Sequence, residues 1–258
     1  MYCPYNIYCP KFKVNSGGIR VMWGLYGWLL AKGQVVYINE KIENSIVIYP
    51  EIIHGNPLNG KKVIRYILAK PGTMGSGTPG TNSFKTGPLD FNLNDELYVF
   101  SKVYDEWGSM DDHILFLPII NLHIFKNQGK KRTKKAFYVG KGVNLNKHPK
   151  ETEELFRGID TKDQQSLANY LNECQVLYVY DRLSAIMECA RLCGCPIKYY
   201  GNLTKKQLSL YEPGVNGITY KDEVDINLDE KEFTNHYKNM IKIFESRLDN
   251  FIEHTQLL

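Results

Sequence analysis

Short apolar runs rich in β-branched and aromatic residues alternate with helix-like stretches along most of the 258 residues. That alternation restricts the chain to α/β architecture with largely parallel sheets. In the first half the strand-like runs are YNIYC (5–9), QVVYI (34–38), SIVIYP (45–50), ELYVFS (96–101) and HILFLPI (113–119), and helices are expected over 18–32 and over GKKVIRYILA (60–69). The pattern restarts with AFYVG (136–140) and ELFRGI (154–159). It continues through a helix over 163–174, QVLYVY (175–180), a helix over about 184–193, and PIKYY (196–200). At the end, Phe233, Tyr237, Met240, Ile241, Phe244, Leu248, Phe251 and Ile252 recur mainly at spacings of three and four, which predicts a long amphipathic helix. The expected organisation is an α/β half over 1–125, a basic linker at 126–135, a second α/β half over 136–228 and a C-terminal helix over 229–258.

Composition narrows the function classes. With 43% apolar residues, 18 Tyr and 11 Phe, the chain is not a disordered segment. The longest apolar stretches, 21–31 and 114–120, fall short of the roughly 20 residues that cross a bilayer. The start, MYCPYNIYCP, lacks a basic region followed by an apolar core, so a cytoplasmic location is expected. Six cysteines occur without a CxxC pair or a histidine at zinc spacing, and reduced, buried thiols are expected. The net charge of +4 resides in KNQGKKRTKK (126–135), which carries six basic residues and no acid. One short cationic segment differs from the basic face of a nucleic-acid binder, and a solvated linker is the expectation.

Two glycine-rich stretches call for opposite readings. NSGGIR (15–20) stands between a strand and a helix, where glycine lets backbone approach a ligand and the first helical N–H groups can meet an anion. The GSGTPG within 71–82 matches the dinucleotide fingerprint literally, yet no strand precedes it and no helical stripe opens after it. It reads as a long loop.

The most specific text is YVYDRLSAIMECARLCGCPIKYYG (178–201), followed by YEPGVNGITY (211–220). A strand delivers Tyr180 and Asp181 to its carboxyl end. Ser184 or Asp181 is expected to cap the next helix, which carries Glu188 and stops at Gly194. Open α/β sheets bind ligands at such carboxyl ends.

This string resembles the nucleotide-sugar site of GT-B glycosyltransferases, with Glu188, Gly194, Pro196, Gly214 and Gly217 in matching order. The family pattern puts an acid where this chain has Tyr180, the acid here being Asp181, and Gly194 falls one residue late. The resemblance implies two Rossmann-like halves facing a cleft, and 258 residues are few for that fold. It also implies a nucleoside-diphosphate-sugar donor, no further cofactor, and a glycan, lipid-linked or other hydroxyl acceptor. A modified-DNA acceptor remains an alternative. Donor contacts are expected from Gly17, Gly18, Arg65, Lys141, Tyr180, Asp181, Ser184, Ala185 and Glu188, with Glu188 on the ribose. Asn15 stands where some relatives carry a lysine. No DxD sequence is present, which fits metal-independent transfer. The general base is expected from YPEIIHGNPLNGKKVIRY (49–66), in His54 or Glu51, with Arg65 on a following helix. Rival expectations are a sugar-nucleotide epimerase of similar architecture and a noncatalytic nucleic-acid or interaction protein using 126–135.

Overall fold

A computed structural model describes residues 3–14, 16–71, 91–156 and 163–257. Asn15, the GSGTPG match and most of ELFRGI beyond Phe156 lie outside the described residues. The chain divides into two compact units, Met1–Leu117 with Ile241–Leu258, and Pro118–Met240.

The first unit is built on a parallel sheet of β1 (Tyr5–Ile7), β2 (Val36–Ile38), β3 (Ile46–Pro50), β4 (Lys62–Ile67) and β5 (Glu96–Val99), in the order β2-β1-β3-β4-β5. Helix α1 (Gly17–Ala31) connects β1 to β2 and buries Val21, Met22, Leu25 and Leu29. Every residue of β3 is buried, as expected for a parallel strand covered on both faces.

The second unit holds β6 (Lys134–Tyr138), β7 (Glu153–Glu154), β8 (Cys174–Val179), β9 (Ile197–Tyr199) and β10 (Ile218–Tyr220), all pairings parallel, in the order β10-β9-β8-β6-β7. Its helices are α2 (Gln164–Asn172), α3 (Ile186–Leu192) and the short α4 (Lys205–Leu208). Numbered within each unit, both sheets run 2-1-3-4-5, a doubly wound, Rossmann-like order. Helix α5 (Glu230–Gln256) contributes Phe233, Tyr237 and Met240 to the core of the second unit and Phe244, Leu248 and Phe251 to that of the first.

Three expectations are corrected. GKKVIRYILA contains a strand, β4, and not a helix, so 71–82 does follow a strand, contrary to the expectation. Its Val-Ile-Arg-Tyr-Ile core is β-branched and aromatic, and residues 63–67 are all buried between neighbouring strands. Gly60 permits the approach, because a Cβ there would stand 2.2 Å from Val47 Cγ2. HILFLPI makes only one parallel bridge, Ile114 to Val99, after a single 3-10 turn at Asp111–His113, and Pro118 has no N–H to extend a ladder.

The third correction concerns 126–135, which is not a solvated linker. Arg132 donates from Nη1 to the carbonyls of Leu171 (3.3 Å) and Cys174 (2.9 Å), and from Nη2 to that of Cys193 (2.6 Å). Asn172 receives Gln128 N at 2.7 Å and donates to the Lys126 carbonyl at 3.0 Å. Lys134 pairs with Glu173 at 2.8 Å, and that carboxylate raises the pKa of the Lys134 ammonium. The segment is thus a working edge of the second unit. Arg132→Ala should lower unfolding free energy by about 1–3 kcal/mol in urea titrations, since buried carbonyls lose their donor. Neutralising the exposed Lys130 and Lys131 together should change it by no more than about 0.5 kcal/mol.

Candidate functional site

In a doubly wound sheet the connections leave in opposite directions on either side of one strand pair, which opens a crevice beyond the carboxyl ends. In the second unit that pair is β6 and β8. Beyond β6 the chain turns through Val139–Gly142, closed by Gly142 N donating to the Val139 carbonyl at 2.8 Å. Beyond β8 run Tyr180 and Asp181, Tyr180 N donating to the Tyr138 carbonyl at 2.9 Å.

Glycines bring these turns into contact. Gly140 has φ +56°, and a Cβ on it would lie 2.3 Å from Asp181 Oδ2. A Cβ on Gly142 would lie 1.9 Å from the Tyr180 carbonyl oxygen, and one on Gly201 2.4 Å from that of Asp181. Asp181 is therefore 4% exposed, with Oδ1 accepting from Arg182 N at 2.8 Å, while Lys141 is exposed on the same turn. The structure thus gathers Lys141, Tyr180 and Asp181 at one switch point.

His148, Phe137, Tyr178 and Tyr200, none of them singled out from the sequence, line the same edge around Tyr180. Tyr180 Oη accepts from Lys147 N at 2.9 Å and shares a hydrogen bond with His148 Nδ1 at 2.7 Å. His148 stacks on Phe137, with centroids 4.0 Å apart and planes 12° apart. Tyr200 stacks on Tyr180 at 5.5 Å and on Tyr178 at 6.4 Å. Burial pushes the Tyr180 and Tyr200 phenols up and the His148 imidazole down, with Glu154 opposing the last shift. The His148–Tyr180 bond is therefore one between neutral groups at neutral pH. The signal available in the sequence was the Asn-Lys-His-Pro turn, whose partner follows a strand some thirty residues later.

The expected helix cap is corrected. Helix α3 has seven residues, and its N-cap is Ala185, which makes no side-chain capping bond. Ser184 supplies its carbonyl to Met187 N at 2.9 Å, and the Asp181 carboxylate is engaged near its own strand end. Two helical turns give little dipole for a diphosphate. Glu188 faces inward, accepting from the Tyr211 hydroxyl. Beside it lies the buried Arg191, bonded to the carbonyls of Met187 (3.2 Å), Gly214 (2.8 Å) and Asn216 (2.9 Å). Gly214 and Gly217 of the matched glycine turn thus shape backbone around Arg191, both with left-handed φ.

The switch point of the first unit lies between β1 and β3. Ser16 Oγ caps α1 by accepting from Ile19 N at 3.4 Å. A Cβ on Gly17 would meet nothing within 4 Å, and one on Gly18 would make ordinary contact with Leu68 Cδ1 at 3.5 Å. Neither has a positive φ. The fold therefore does not demand glycine there. Glu51, 4% exposed beyond β3, accepts from Leu68 N at 2.9 Å, so Gly18, Leu68 and Glu51 come together.

His54 is exposed on the loop after β3. Arg65 is corrected in both place and role. It lies on β4, fully buried, with Nε 2.7 Å from Asp95 Oδ2. Its Nη1 and Nη2 donate to the carbonyls of Ile53 (2.7 Å) and Gly55 (2.5 Å). The guanidinium also covers the rings of Tyr49 at 5.0 Å and Phe91 at 5.3 Å. Committed in this way, it fixes the His54 loop instead of meeting a phosphate.

In comparisons with known proteins, no family model and no curated protein matches the chain.

Asp95→Ala should cost about 3–5 kcal/mol in chemical unfolding, because it strands a buried guanidinium. Acidification should draw on His148. The native state resists its protonation, so its contribution holds above about pH 6.5, the ordinary histidine value, and is lost as pH falls below it. Urea midpoints measured from pH 7.5 to 5 should fall less in His148→Gln than in the parent.

Proposed function

We propose that the chain is a GT-B-type glycosyltransferase that moves a sugar from a nucleoside-diphosphate sugar to an acceptor hydroxyl. The observation that carries this reading is the Gly140–Lys141–Gly142 turn closing on Tyr180 and Asp181 at the β6–β8 switch point. Gly140 and Gly142 let this turn close on the end of β8, which sets Lys141 at the switch point, and Lys141 supplies a cation to the diphosphate. Tyr178 and Tyr200, each half-buried, offer ring faces to a nucleobase. Two sheets of identical Rossmann-like order support the same reading, since GT-B enzymes use one such half for the donor and the other for the acceptor.

The chemistry assigned to the first unit follows from its free geometry. Gly17 and Gly18 open the start of α1, a helix of 15 residues whose N–H groups suit a developing anion. His54 is the proposed general base. It takes the acceptor hydroxyl proton as the acceptor oxygen bonds to the sugar anomeric carbon, and the diphosphate leaves with the electron pair of the broken C–O bond. Glu51 is occupied by Leu68 N and serves to hold the loop between them. Glu188, held by Tyr211, orients α3, and transfer is proposed to need no metal.

Thermal shift with UDP-, GDP-, ADP-, CMP- and dTDP-sugars tests the proposal, because a ligand of the native state raises apparent stability. One nucleotide class should raise the midpoint. Lys141→Ala should weaken that ligand about tenfold, equivalent to about 1.4 kcal/mol. Silence towards every nucleotide sugar would reject the reading.

A further inference from the structure

Away from the carboxyl ends, three side chains of the first unit converge at the amino end of β5. Glu96 is the first residue of that strand, His113 closes the 3-10 turn at Asp111–His113, and His254 lies in the last turn of α5. One donor atom from each, two imidazole nitrogens and a carboxylate oxygen, lies within 4.8 Å of the other two. His254 Nε2 is 3.1 Å from Glu96 Oε1. Yet Glu96 Oε1 and His113 Nε2 are both buried without a hydrogen-bond partner among the described residues, so the 3.1 Å approach is close without being aligned as a hydrogen bond.

Neighbouring groups define which atoms are available. Lys62 Nζ holds the other carboxylate oxygen, Oε2, at 2.6 Å. Tyr98 packs edge-on against His113 at 4.7 Å, and His113 against His254 at 5.7 Å. Burial raises the Tyr98 phenol, with Glu96, to which Tyr98 is hydrogen-bonded, and then Asp112 adding to the shift. Lys62 therefore neutralises one side of Glu96 while Oε1 faces the two imidazoles. A protonated His254 paired with Glu96 would explain one contact and leave His113 Nε2 buried and unsatisfied, which costs about 1–3 kcal/mol. A cation accepts all three lone pairs at once.

We propose that Glu96, His113 and His254 bind a first-row divalent transition cation of the zinc class, tying the end of α5 to the amino edge of the first sheet. Two imidazoles and one carboxylate suit zinc, cobalt or nickel, whereas magnesium and calcium favour oxygen-only shells. Ligands about 2.0–2.2 Å from such an ion stand roughly 3.3 Å apart; His254 Nε2 and Glu96 Oε1 already do at 3.1 Å, and the remaining contraction, from within 4.8 Å, falls to the contacts with His113. Glu96 begins β5, so within the first unit the ion lies at the opposite end of the strands from the loop that carries His54 and acts as a structural tie. The inference stands whether or not the glycosyl-transfer reading holds.

The test uses the full chain after chelator treatment, with ZnCl2, CoCl2 or MgCl2 added alone. Zinc should raise the thermal midpoint and magnesium should not. His254→Gln, at an exposed helix end, should fold normally and bind zinc at least about tenfold more weakly. Cobalt should give weak visible bands without thiolate charge transfer, and His254→Gln should lose them. A zinc shift unchanged in His254→Gln, a thiolate-dominated cobalt spectrum pointing to the cysteines, or no zinc response at all would each overturn the site.

Discussion

A guanidinium taken out of water is costly without acceptors, and among the described residues each unit of this protein buries one arginine completely. Arg65 collects Asp95 and the carbonyls of Ile53 and Gly55, and Arg191 collects those of Met187, Gly214 and Asn216 through Nε and Nη1, its Nη2 being buried without a partner among the described residues. Both charges also lie over aromatic faces, Tyr49 and Phe91 in one case and Phe233, at 4.0 Å, in the other. Desolvation pushes Arg191 down to about 10, which leaves it charged at neutral pH. The need for acceptors recruits irregular backbone that no ladder would hold. In the first unit that backbone is the His54 loop at a strand's carboxyl end, so the candidate base inherits its position from a buried ion pair.

The same interaction explains what sequence could and could not reveal. Strands such as Ile46–Pro50 and Cys174–Val179 are legible because continuous apolar, β-branched runs fit parallel sheets buried on both faces. Lys62–Ile67 was not. A cation in the middle of an apolar run suggests the polar face of a helix, and its neutralising partner, Asp95, comes thirty residues later. Arg132 misled in the same way, a basic run having hidden one residue that ties three carbonyls together.

At the candidate site, Lys141, Tyr180 and Asp181 could be located because they follow strands, and strand ends of parallel sheets meet along one edge. Gly17 and Gly18 could be noticed from sequence, while the structure adds that neither crowding nor φ requires them. His148 and Tyr200 escaped, since their ring contacts depend on loop conformations that periodicity does not encode. The cap expected from Ser184 or Asp181 failed because the N-cap is Ala185, which makes no side-chain capping bond.

The discontinuity of the first unit has a consequence for biosynthesis. Phe244, Leu248 and Phe251 belong to its core, yet they are translated only after the whole of Pro118–Met240. Chain order is thus the reverse of completion order. The second unit, contiguous in sequence, can close while the nascent N-terminal sheet still waits for its last apolar face, and during that interval the sheet must be kept from adventitious partners.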